Sequence, residues 1–119
     1  MFNFNVDELF QHVDGESFPF YNLYKVGEAN RIDIAVAGYT ESELKVYLER
    51  TTIIVEGTKE ASKEVPYKKT ISSKNFKRVF ALYEESKIEK VTLKYGILSI
   101  LIKRVENVSK SESFKITVE

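Results

Sequence analysis

Ile88-Glu89-Lys90-Val91-Thr92-Leu93-Lys94-Tyr95-Gly96-Ile97-Leu98-Ser99-Ile100-Leu101-Ile102-Lys103 is the stretch that decides the fold class. Two runs of β-branched and apolar residues meet at Tyr95-Gly96, where a glycine supplies the positive φ that a tight hairpin needs. In the second run Leu98, Ile100 and Ile102 form one face, while Ile97 and Leu101 make the other apolar as well. A two-layer sandwich covers only one face, so the second needs a tail, a loop or a partner. Upstream, Arg31 to Ala37 places Ile32, Ile34 and Val36 on one face and ends at Gly38. Leu44 to Glu49 repeats the device with Leu44, Val46 and Leu48, and Thr52 to Glu56 follows after a tight connection. Phe76 to Leu82 aligns Phe76, Phe80 and Leu82. Apolar residues recur at two rather than at three and four, and Gly38, Gly57, Pro66 and Gly96 punctuate the runs. From about Tyr21 to Lys103 this is the pattern of an all-β sandwich.

Composition removes several classes of function. The 119 residues hold 18 Lys plus Arg against 18 Asp plus Glu, no Cys and one His. Zero net charge gives no pull toward nucleic acid. Without Cys there are no disulfides, thiolate nucleophiles or Cys-based zinc sites. His12 is read as a surface or arm residue rather than a proton shuttle. No metal or cofactor is expected, and neither is an enzyme: the five Gly residues form no phosphate-cradling cluster, no Ser has a His partner, and no carboxylate pair lies in an apolar surround. No run approaches the roughly 20 apolar residues of a membrane span, and the first residues lack the basic flank of a signal peptide, which predicts a cytoplasmic protein. The Asn-x-Ser match at Asn107 is accordingly read as chance.

Both ends carry apolar residues outside the sandwich. Phe2, Val6, Leu9, Phe10 and Val13 fall at the spacing of one helical stripe ended by Asp14-Gly15, predicting a short N-terminal helix that must dock on something. Lys59 to Lys69 is polar and long for a turn, a candidate excursion with Pro66 confined to an edge or loop. Val105 to Ser113 is polar, and Phe114-Lys115-Ile116-Thr117-Val118 then forms an isolated apolar island. The expected division is an arm over 1–18, partly helical or disordered, a sandwich over 19–104 and a tail over 105–119.

Five pieces in order now resemble the small heat-shock protein family, and most of all its bacterial inclusion-body-binding branch. They are Ile34-Ala35-Val36-Ala37-Gly38-Tyr39, Glu41-Ser42-Glu43-Leu44-Lys45-Val46, Phe76-Lys77-Arg78-Val79-Phe80-Ala81-Leu82, Gly96-Ile97-Leu98 and Ile116-Thr117-Val118. Val91 and Tyr95 stand where the family usually has Ala and Asn, and the last motif is Ile-x-Val rather than Ile-x-Ile.

The resemblance implies an α-crystallin domain, an immunoglobulin-like two-sheet β-sandwich, and an ATP-independent holdase that binds unfolding client proteins. It implies a dimer that exchanges a strand held by Lys63 to Lys69, with Val65, Tyr67 and Arg78 at the interface and Arg78 paired with a carboxylate. By its own register Arg78 projects among Phe76 and Phe80, where an unpaired charge is costly; a surface Arg at the sheet margin is the alternative. The family's tails link dimers into larger homo-oligomers, so Ile116 and Val118 would enter a groove lined by Leu44, Val46, Leu48, Val91 and Leu93 of a neighbouring dimer. Phe2, Phe4, Leu9, Phe10, Phe18 and Phe20, with Tyr21, would offer clients apolar area. ATP-dependent disaggregating chaperones are implied as downstream partners. The competing reading is a monomeric co-chaperone or adaptor with the same sandwich, a family that typically ends in an acidic segment, unlike Phe114 to Val118.

Overall fold

The computed structural model describes residues 9–14, 18–59, 75–104 and 112–119. Its strands are β1 (Phe10–Asp14), β2 (Tyr21–Val26), β3 (Ala29–Ala35), β4 (Leu44–Glu49), β5 (Thr52–Gly57), β6 (Phe76–Leu82), β7 (Ser86–Lys94), β8 (Ile97–Arg104), β9 (Glu112–Ser113) and β10 (Thr117–Val118). They form two sheets, β1-β6-β5-β4-β9 and β10-β7-β8-β3-β2. Every pairing is antiparallel except β10 on β7, which is parallel. The expected all-β sandwich is therefore present.

The hairpin forms as its residues dictate. Tyr95 (φ 53°) and Gly96 (φ 74°) both take positive φ, the backbone of a tight two-residue turn whose twist matches its strands. A side chain at 96 would also press on Ala37, which lies against the turn where the Val36 amide donates to the Gly96 carbonyl, 2.8 Å. Leu98, Ile100 and Ile102 are fully buried and face a core that includes Ile32, Ile34, Val46, Leu48, Ile53, Val55 and Phe80. On the other face of β8, Ile97 is exposed and Leu101 half-buried.

The N-terminal helix is not what the described residues form. Residues 10–14 are a strand on the outer edge of β6, and a bulge explains the misleading spacing. Phe10 stands opposite Leu82 and Val13 opposite Phe80, so one extra residue lets positions three apart in sequence stand two apart in register. The same device recurs in β7, where Ile88 pairs with Ile102 and Val91 with Ile100, and both side chains are buried. Residues 1–8, with Phe2, Phe4 and Val6, lie outside the described residues.

Thr40 starts a 3₁₀ turn over Glu41–Glu43, its amide donating to the Glu43 carboxylate at 2.9 Å. The turn delivers the chain into β4, which edges the first sheet until β9 joins it. Beyond β5, the Lys59 amide donates to the Asn75 side-chain oxygen at 2.8 Å, so the excursion leaves and returns at one point. The excursion itself, with Val65 and Tyr67, lies outside the described residues.

Candidate functional site

The most completely built feature lies where β4 and β7, on facing sheets, run along one side of the sandwich. Alternation turns Leu44, Val46 and Leu48 of β4 inward, and the bulge in β7 does the same for Val91 and Leu93; all five are buried in one cluster. Between these two strands lies the chain's own tail. Glu112 and Ser113 pair with Leu48 and Tyr47. The Phe114 amide then donates to the Val46 carbonyl, 3.1 Å. Three residues on, Thr117 and Val118 pair with Thr92 and Leu93, and the Glu119 amide donates to the Leu93 carbonyl, 3.0 Å. The Glu119 carboxylate also sits 3.2 Å from the Lys90 ammonium. One short segment thus satisfies edge groups of both sheets, which would otherwise be open templates for pairing.

Ile116 falls between the two sets of hydrogen bonds and is buried (7% exposed) with the groove residues. Val118 is not: it is 55% exposed. The two side chains were expected to enter the groove together, as residues two apart on one strand do. The strand β10 begins only at Thr117, after Ile116, so the two are not consecutive inward positions of one strand. In the single chain described, the groove residues Leu44, Val46, Leu48, Val91 and Leu93 and the tail's Ile116 belong to one buried cluster.

Of the residues expected to meet clients, Leu9 is core: it is 1% exposed, and its carbonyl accepts from the Tyr83 amide at 2.9 Å. Phe10 and Phe18 pack edge-on against Phe80 and Phe76, at centroid distances of 6.4 and 5.9 Å, and are half-buried. Phe20, 74% exposed, is the one with substantial apolar area facing solvent among those described.

Arg78 projects among aromatics as its register requires, and it is buried rather than at a sheet margin. Its guanidinium donates to the Pro19 carbonyl (3.1 Å) and lies 4.9 Å from the centre of the Tyr21 ring. A charge-assisted hydrogen bond and a desolvated cation–π contact thus fasten residues 19–21 to β6.

That fastening sets up a feature the residue patterns did not single out. β2 is the outer strand of the second sheet, paired on one side with β3. Leu23, Tyr24 and Val26 are all exposed along it. The signal was present in Tyr21-Asn22-Leu23-Tyr24-Lys25-Val26, but an edge strand shows weak burial contrast and is hard to tell from a loop. Among the described residues, no group of His, Asp or Glu is arranged to hold a metal ion. No helix among them is long and apolar enough to cross a membrane.

The two-sheet sandwich agrees with comparisons to known proteins. The Hsp20/alpha crystallin family model matches residues 24–119. The chain belongs to the small heat-shock protein family. Relatives agree: the small heat shock protein HspH of Bradyrhizobium diazoefficiens is 32% identical over 117 residues, covering 95% of this chain and 77% of that protein. The small heat shock protein IbpA of Yersinia pestis is 36% identical over 105 residues, covering 86% and 77%. Among solved structures, a small heat shock protein from Synechococcus phage S-ShM2 superposes with a TM-score of 0.66 at 26% identity, covering 74% of this chain and 96% of that one. The inclusion-body-binding resemblance is thus met by name in IbpA. Membership of this family carries a chaperone role in general.

Proposed function

We propose that this small heat-shock protein is an ATP-independent holdase, not an enzyme, that works as a strand-exchanged dimer and assembles further through its tails. The observation that carries the reading is the outer edge of β2: six residues long, with exposed Leu23, Tyr24 and Val26, and preceded by exposed Phe20. An edge of that length and apolarity is a template for a further strand. The excursion segment Lys63 to Lys69, with Val65 and Tyr67, is the strand we assign to it, supplied by a second copy. Pairing there brings backbone groups and apolar area together while the core of each sandwich stays intact.

Clients meet Phe20 and the residues ahead of β1, Phe2 and Phe4. Apolar area is non-directional, which suits capture of varied unfolding chains without a fixed recognition code. Captured clients pass to ATP-dependent disaggregating chaperones. The test is aggregation of a heat-labile client, followed by light scattering with and without the chain and without any nucleotide. Suppression at near-stoichiometric amounts is expected, with weaker suppression by a Phe2→Ser, Phe4→Ser, Phe20→Ser variant of unchanged melting temperature. Full protection by that variant moves the client site to the sandwich, and no protection by the wild type overturns the holdase. A mass of 13.8 kDa at every concentration favours the monomeric adaptor instead.

A further inference from the structure

At one end of the second sheet the inward positions change from apolar to polar. Antiparallel register sets Lys25, Asn30 and Ile102 side by side on β2, β3 and β8, and alternation from Ile32 and Ile102 turns Asn30 and Arg104 to the face that carries the core. With Lys103 and the turn residues Gly27 and Glu28, these polar side chains line a cleft of about 320 Å³. That volume is at the lower end of the roughly 300–1,000 Å³ of small-molecule sites.

Asn30 is the informative member. It is 7% exposed, and its side-chain amide forms no hydrogen bond among the described residues. A buried amide in that condition costs stability, whereas a leucine would extend the apolar layer of Ile32 and Ile102. Around it stand cations: Lys25 is its register partner, and Lys103 and Arg104 line the same cleft. Glu84 lies 3.3 Å from Arg104 Nε and Glu89 lies 3.4 Å from Lys103 Nζ, in pairs open enough to solvent to yield to a ligand at small cost. The whole chain carries no net charge, so the attraction for an anion is local.

We propose that this cleft binds a small phosphate ester, its phosphate held by Lys25, Lys103 and Arg104, with the Asn30 amide donating to a phosphate oxygen. A guanidinium fork, compact ammonium charges and a neutral amide together match the acceptor-only oxygens of a phosphate. Glu28 is the carboxylate of the lining, and it suits a ligand that also carries hydroxyl donors, a phosphorylated polyol rather than a bare anion. An occupied cleft would fasten the turn between β2 and β3 to the end of β8. The site is separate from the groove, from the outer edge of β2 and from the aromatic residues assigned to clients.

The test is calorimetric titration of the full-length chain with ribose 5-phosphate and with inorganic phosphate. Saturable binding is expected, tighter for the ester, and Glu28→Gln should narrow the difference between the two. Asn30→Leu and Arg104→Gln should each weaken binding by about tenfold, the loss of a hydrogen bond to a charged group. Asn30→Leu should also leave the denaturation midpoint unchanged or raised, because it replaces a buried amide by apolar area. A lowered midpoint with unaltered binding shows that the amide serves the fold, and overturns the proposal. Wild-type binding that neither variant weakens overturns it too, as does no binding of either solute at millimolar concentration. Sedimentation with vesicles of phosphatidylcholine and phosphatidic acid, without binding of the solutes, overturns it by moving the phosphate to a lipid headgroup. No readout involves a client or the state of assembly, so failure here and failure of the holdase reading are told apart.

Discussion

The two outer edges of the second sheet are treated oppositely. At one, β7 is covered by β10, with the Glu119 amide on the Leu93 carbonyl and Ile116 buried beside it. At the other, β2 ends the sheet with Leu23, Tyr24 and Val26 exposed. Both strands have the same backbone chemistry, so the difference lies in what the chain can bring to each. The tail reaches β7 with a side chain that fits a hole in the core; among the described residues no strand pairs with the outer side of β2.

The largest expected effect lies in the core beneath the start of β2. Phe80 is fully buried and holds the Tyr21 ring edge-on at 5.3 Å and the Phe10 ring at 6.4 Å. Phe80→Ala is expected to cost about 3–5 kcal/mol, read as a large fall in denaturation midpoint, and to loosen both β1 and the start of β2. Retention of the wild-type midpoint would show that neither element leans on this ring.

Ile116→Ala addresses the closed edge alone. Removing most of a buried isoleucine should weaken tail docking by about 2 kcal/mol. Amide exchange at Phe114 and Glu119, whose protons are held by the Val46 and Leu93 carbonyls, then accelerates roughly thirtyfold while the hairpin amides stay protected. Val118→Ala, at an exposed position, should leave the same amides within a factor of about two.

On the open side, Arg78→Met removes the donor to the Pro19 carbonyl and the contact with Tyr21. A loss of about 2 kcal/mol is expected by denaturant titration, with increased exchange at the start of β2 and none at the tail. Leu23→Lys puts a charge on the open edge; stability should stay within about 0.5 kcal/mol while mass by light scattering falls toward a single chain. The smallest effect belongs to Lys90→Ala, because the pair with Glu119 is well exposed on both sides and contributes below about 0.5 kcal/mol.

Much of this protein is legible in its amino-acid sequence alone. The Tyr95-Gly96 hairpin and the alternating faces of Ile32-Ile34-Val36 and of Leu44-Val46-Leu48 follow from period-two burial and turn chemistry. Those signals are local, and burial amplifies them. The lining of the groove is legible for the same reason, since its members are the inward positions of two strands.

Other features are decided by partners distant in sequence. Phe10 and Val13 look helical until β6 supplies an edge and a bulge shifts the register. Arg78 announces its need for a partner, but only the fold delivers the Pro19 carbonyl, 59 positions away in the chain. The apolar island at Ile116 likewise announces that it must be buried. Which hole receives it is decided by the tertiary structure, because the pocket beside Leu44, Val46, Val91 and Leu93 exists only once β4 and β7 are brought together from distant parts of the sequence.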